Sequence, residues 1–244
     1  MSGPKDHSTL IAELHHLSGE FTTHPYGDKR SLKALGFNPN QERVSSVVLK
    51  EETALELGAP GLLSVSRAFI TRDPSIVRDR LHVVELSPHR TGSESLSLLH
   101  VAVLHFPDTM DINDQGPVRL MNLTNRLPRV MTRSIPGRLW VRVHKKLIKK
   151  FSLYGWGQVI RAAYEAHYPQ VDKIDLFLAA GDDALIGRFA PLAGAAGVIA
   201  GENRKLRWEQ DGVIACNDLD CAVCDEQVAC DTIRQVVTFR RRNP

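Results

Sequence analysis

The chain reads as an α/β protein, a mixed sheet with flanking helices, and three observations predict that class. Four apolar, β-branched segments follow one another between residues 44 and 106, with turn-forming residues between them. Residues 138–146 alternate in polarity at a period of two. A helix-patterned stretch at 154–168 then leads into the apolar segment 173–181. The expected organisation is an N-terminal helix and loop over 1–42, an α/β domain over 43–181, and a helical segment with a cysteine-rich metal-binding tail over 182–244.

Each element has its own warrant. Leu10, Ile11, Leu14 and Leu17 recur at helical spacing behind a Ser8-Thr9 cap, with His15 and His16 expected on the exposed side. Residues 18–42, rich in Gly, Pro, Asn and Thr, read as loop. Strands are expected in VSSVVL (44–49), LLSVSRAFI (62–70), LHVVEL (81–86) and LSLLHVAVLHF (96–106). The separators ELGAPG, TRDPS and SPHRTGSES each hold Pro, Gly or both. His100 and His105 lie five apart in a strand, so they belong on opposite faces and do not make a two-histidine metal site.

VRLMNLTNRL reads as one short helix stopped by Pro128. In RLWVRVHKK, Leu139, Val141 and Val143 share one face and Trp140, Arg142 and His144 the other. The helix over 154–168 takes its apolar face from Val159, Ala162, Ala163 and Ala166, and Gly155-Trp156-Gly157 lets it approach a neighbour closely. KIDLFLAAG is a strand, and DDALIGRFAPLAGAAGVIAGE a helix broken or kinked at Pro191.

Composition narrows the function classes. The chain has 244 residues, 43% hydrophobic and 24% charged, enough for a sizeable core. A net charge of +3 is too small to argue for nucleic acid. There is no signal-peptide apolar region and no run near the ~20 residues that span a bilayer, so a cytoplasmic location with reduced thiols is expected. P-loop, G-x-S-x-G and H-E-x-x-H patterns are absent, and no histidine pair has convincing ligand spacing.

The strongest chemical signal is CNDLDCAVCDEQVAC. It gathers all four cysteines, Cys216, Cys221, Cys224 and Cys230, into fifteen residues. Four thiolates within reach of one point suit an iron–sulfur cluster or zinc, both of which take soft sulfur in tetrahedral geometry. Disulfides need an oxidising compartment, and inert packing suits one or two thiols better than four. Zinc sites usually set two short-spaced pairs a dozen or more residues apart; this compact run favours an iron–sulfur cluster, with zinc the alternative. Asp218, Asp220, Asp225, Glu226 and Asp231 flank the thiols as water-facing loop residues; close to a cluster, their charge would lower its potential.

A second signal is basic. Arg138, Arg142, Lys145, Lys146, Lys149 and Lys150 place six cations in thirteen residues. They suit either a solvated face or subunit contact, or the phosphates of a nucleotide diphosphate.

Three stretches together resemble a known family. ALELGAPGLLSVSRAFIT, RLWVRVHKKLIKK and GQVIRAAYEAHYPQVDKIDLFL resemble, in order, segments of the β subunit of acetyl-CoA synthase. That subunit belongs to the carbon monoxide dehydrogenase/acetyl-CoA synthase complex of acetogens and methanogens. Glu56-Leu57-Gly58 with Pro60 is similar to the family's E-L-G-x-P, and Leu139 to Lys146 to its I-W-I/V-R-V-S/H-K-K segment. Pro169 to Phe177 is similar to its Pro-terminated helix and following strand, so the resemblance covers roughly residues 50–180.

The resemblance implies a role in anaerobic C1, corrinoid and acetyl-CoA metabolism, with carbon monoxide dehydrogenase or corrinoid protein subunits as partners. It also implies coenzyme A at the basic segment, through Arg138, Arg142, Lys145 and Lys146. The family holds a 4Fe–4S cluster with C-x2-C-x8-C-x9-C and nickel with a later C-G-C. Here the spacing is C-x4-C-x2-C-x5-C and no C-x-C occurs. An iron–sulfur protein without the nickel-centred condensation is therefore expected. A CO-methylating acyltransferase is the alternative, and a zinc-stabilised interaction protein the second.

Overall fold

Every residue of one strand, Leu98–His105, is buried, which requires cover on both faces of its sheet. The computed structural model of the chain describes residues 7–38, 47–85, 94–106, 127–135 and 137–211 and supplies that cover. Helix α1 (Ser8–Leu17) is followed by β1 (Thr22–His24), α2 (Lys29–Leu35), β2 (Thr53–Leu57) and β3 (Ser64–Thr71). Next come β4 (Leu81–Val84), β5 (Glu94–Leu96), β6 (Leu98–His105), β7 (Val130–Ile135) and β8 (Arg138–His144). Helix α3 (Leu153–His167), β9 (Lys173–Ala180) and α4 (Asp183–Asp211) complete the described chain.

The strands form two mixed sheets, and the fold is α/β in content. The five-stranded sheet has the order β1-β4-β9-β6-β3. Its β6 runs parallel to β3 and antiparallel to β9, while β9 runs parallel to β4. The four-stranded sheet has the order β5-β2-β8-β7, with β8 antiparallel to both neighbours and β5 parallel to β2.

Side-chain alternation divides the core in two. Leu98, Ala102 and Leu104 of β6 and Ile174, Leu176 and Leu178 of β9 face α3 and the smaller sheet. Leu99, Val101 and Val103, with Phe177 and Ala179, face α1 and α4 instead. Ile11 and Leu14 of α1 are fully buried there, beside Ile186, Phe189 and Ala196 of α4.

Several expectations hold. β3, β4, β6, β8 and β9 occupy the apolar segments read from the sequence. Leu139, Val141 and Val143 are buried while the alternate residues of β8 are half-buried. A Cβ on Gly157 would stand 2.5 Å from Leu81 Cδ1, so the close approach of α3 to the sheet depends on that glycine.

Others are corrected. Of the strand expected over 44–49, residues 44–46 lie outside the described residues and 47–49 are not strand: Val47 and Leu49 are 66% and 55% exposed. The strand begins at Thr53 instead, because Leu55 and Leu57 reach the core between the sheets. The stretch 18–42 is not all loop, since it holds β1 and α2. Asp28 caps α2 by accepting from the Arg30 and Ser31 N–H groups, and Gly36 ends it at φ +74°. Nor is SPHRTGSES purely a separator, for β5 begins at Glu94.

The expected Ser8-Thr9 cap is replaced: His7 holds the N-cap position, its ring bonded to the Ile70 and Ala196 backbone instead of capping the helix, and Ser8 Oγ pairs with Thr71 Oγ1. The apolar ridge of α3 is Trp156, Val159, Ile160, Ala163 and Tyr164, with Ala166 exposed. α4 runs unbroken through Pro191. Pro191 and Gly187, whose carbonyl loses its i+4 donor, are both exposed, so water can satisfy that carbonyl. The expected helix at 118–127 lies outside the described residues except for its last residue.

Candidate functional site

The four cysteines, Cys216, Cys221, Cys224 and Cys230, fall outside the described residues, as do the acidic residues around them. The basic segment is described in full. Arg138 donates from Nη2 to the Leu62 carbonyl at 2.7 Å, which ties β8 to the turn before β3. Arg142 donates from Nε to Glu56 Oε1 at 2.6 Å across the β2–β8 pair, and its guanidinium lies 4.5 Å from the Trp140 ring centroid. Lys145 and Lys146 are exposed just beyond β8. The four residues therefore differ in kind: two arginines are engaged by the protein, and two lysines face solvent. Gly58, at φ +62°, turns the chain after β2, where a Cβ would meet the Leu139 carbonyl at 2.2 Å.

A constellation the sequence reading missed lies on the face of the larger sheet toward α1 and α4. His15 from α1, His82 from β4 and Asp175 from β9 each offer a ligand-type atom, all within 4.8 Å of one another. Asp175 is fully buried in the strand KIDLFLAA. Its carboxylate accepts the Arg78 N–H at 2.9 Å and the Arg80 N–H at 2.8 Å. Between those donors Asp79 takes φ +56°, so the loop cups the carboxylate as a backbone nest. Asp79 Oδ1 in turn accepts the Ile174 N–H and pairs with Arg161 at 3.0 Å, which holds this uncommon backbone in place.

The two imidazoles flank the acid. His15 Nε2 is 3.0 Å from the Ile76 carbonyl and 3.5 Å from Asp175 Oδ2. His82 Nδ1 pairs with Thr23 Oγ1 at 3.0 Å, and its Nε2 stands 3.7 Å from Asp175 Oδ1. Phe177 packs beneath both, stacked on His82 with centroids 4.3 Å apart and meeting His15 edge-on. The expectation that His15 is exposed is thus corrected, while His16 is exposed as expected. Burial pushes the His15 pKa down and the Asp175 charge pulls it back up; the net direction is down.

Two further strand histidines, His100 and His105, are held by partners within the fold. His100 and His105 do fall on opposite faces of β6. His100 Nδ1 pairs with Ser66 Oγ at 3.0 Å beside Trp156, and burial lowers its pKa to about 4. His105 meets Asp172 through Nδ1 and the Arg72 carbonyl through Nε2. Spacing motifs could not reveal the His15–His82–Asp175 group, because its members sit in three separate elements. The available signals were single polar residues inside apolar strands, Asp175 in KIDLFLAA and His82 in LHVV.

No protein-family model matches the chain, and no curated protein matches it. The class that the structure defines is an α/β protein of two mixed sheets with helices. Among the described residues no helix is long and apolar enough to cross a membrane.

Proposed function

We propose that the chain is an iron–sulfur protein related to the acetyl-CoA synthase β subunit and acts in anaerobic C1 metabolism of the cytoplasm. The observation that carries this reading is the confinement of all four cysteines to fifteen residues. Cys216, Cys221, Cys224 and Cys230 would hold one cluster, which supplies electron transfer when bound. The resembling segments lie together in the fold, where β2 and β8 pair directly through Glu56 and Arg142 and α3 leads into β9; the relation itself rests on their sequence resemblance. With all four cysteines in one run, the reading assigns no nickel-centred condensation to this chain.

The same reading places coenzyme A phosphates against Lys145 and Lys146, with Arg138 and Arg142 shaping the strand that presents them. Carbon monoxide dehydrogenase or corrinoid protein subunits are the partners it names. Elemental analysis and visible absorption of protein purified without oxygen test it. About four irons per chain, no nickel and an absorption that dithionite bleaches are expected, with loss of colour on Cys221→Ser or Cys224→Ser. Colourless protein with one zinc would transfer the cysteines to a zinc-stabilised interaction protein. Four titratable thiols without metal would end the reading.

A further inference from the structure

We propose that His15, His82 and Asp175 form a site for one divalent transition-metal ion of the zinc type, with a ligand set that uses none of the cysteines. Three observations carry it. The distances from the imidazole nitrogens to the carboxylate, 3.5 and 3.7 Å, are too long for hydrogen bonds. They run to different oxygens, His15 to Oδ2 and His82 to Oδ1, and each approaches the ~3.4 Å edge between two ligand atoms on a tetrahedral ion with ~2.1 Å bonds.

Next, His82 is 2% exposed and its Nε2 has no hydrogen-bond partner. If Nδ1–H donates to Thr23, a bare Nε2 lone pair faces an anionic oxygen. If the Thr23 hydroxyl donates instead, a buried Nε2–H is left unsatisfied. A cation between ring and acid removes the first conflict, and the Nδ1–H···Oγ bond is the outer-sphere contact that orients a metal-binding histidine. Last, Asp175 is fully buried, and among the described residues the groups at ion-pair distance from it are these two imidazoles. A buried carboxylate held by two backbone N–H groups still has lone pairs for a metal.

His15 must rearrange its proton to take part. As placed, Nε2–H donates to the Ile76 carbonyl, while Nδ1 is buried without a partner. Coordination through Nε2 moves that proton to Nδ1, where it has no acceptor, and gives up the Ile76 bond; the ring stays neutral and the metal bond must offset both losses. Two imidazoles and a carboxylate suit zinc, iron(II), cobalt(II) or nickel(II) better than calcium or magnesium. Such an ion would clamp α1 onto β4 and β9.

Cobalt(II) is the probe, added to chelator-treated full-length chain in which the four cysteines are replaced by serine. One equivalent should bind, with ligand-field absorption and no thiolate charge-transfer band. His82→Ala should weaken that binding roughly tenfold or more. No binding by the folded four-serine chain, or equal binding by the His82→Ala chain, overturns the site. If either variant fails to fold, histidine nitrogen NMR of the unsubstituted chain with zinc decides. A shift of the His82 Nε2 resonance supports the site, and an unchanged resonance overturns it. Loss of the cluster reading leaves this result untouched, because the cysteines are absent from the first assay.

Discussion

The two faces of the five-stranded sheet bury histidines to different ends. On the face toward α3, His100 lies beside Trp156, and among the described residues its side chain has Ser66 as hydrogen-bond partner. Among the described residues no carboxylate opposes its burial, which lowers its pKa to about 4. On the face toward α1, His15 and His82 look onto Asp175. There the acid offsets part of the desolvation of His15. Burial alone makes a histidine inert at neutral pH; a facing carboxylate makes it a candidate for cation chemistry.

The difference breaks most sharply if the acid is removed. Asp175→Ala leaves the Arg78 and Arg80 N–H groups without their acceptor and the imidazoles without their counter-group. A loss of about 4 kcal/mol is expected in urea unfolding, summing two charge-assisted hydrogen bonds at ~2 kcal/mol each. A loss below about 1 kcal/mol would mean that water replaces the carboxylate and that the face is not sealed.

His100 supplies the counterpart. The unfolded chain binds its proton near pH 6.5, and the folded chain only near pH 4. The unfolded state therefore holds more protons between those values, so stability is full above pH 6.5 and falls as pH drops toward 4. The shift corresponds to about 3 kcal/mol at ~1.4 kcal/mol per pH unit. His15 titrates in the same direction, so the comparison needs a variant. Ser66→Ala with His100→Leu replaces both hydrogen-bond partners by apolar groups and should remove most of this loss. An unchanged pH profile would place the acid sensitivity on the other face.

This contrast was only partly legible in the sequence. β6 and β8 could be read because an apolar run and a strict alternation follow directly from two-sided and one-sided burial. Propensity favours VSSVVL, of which 47–49 are not strand and 44–46 lie outside the described residues, whereas β2 is TALEL, whose Glu56 pairs with Arg142. Propensity describes a residue's fit to a pleated surface, and tertiary pairing decided which segment found one. The His15–His82–Asp175 group was illegible for a different reason. Its geometry depends on sheet order, since β4 and β9 are neighbours only through a parallel pairing that no local pattern encodes.

The smallest expected effect asks why the His100 face stays dry. Gly157 lets α3 sit directly on the sheet: an added Cβ would lie 2.5 and 2.8 Å from the two Cδ atoms of Leu81 and 3.0 Å from Leu178 Cδ1. Both leucines are fully buried, so neither can swing into solvent. Gly157→Ala should gain ~1 kcal/mol of helix propensity and lose about 1–3 kcal/mol to overpacking, for a net loss of roughly 1 kcal/mol. Gly194→Ala in α4 is the control, because no atom lies within 4 Å of its added Cβ and the residue is exposed. There the propensity acts without opposition, and a gain of up to about 1 kcal/mol is expected. Opposite signs for the same substitution in two helices of one chain, read from urea midpoints, would tie the dryness of the α3 face to its close approach. Equal stabilisation by both would show that Leu81 and Leu178 yield, and that the face is looser than the distances imply.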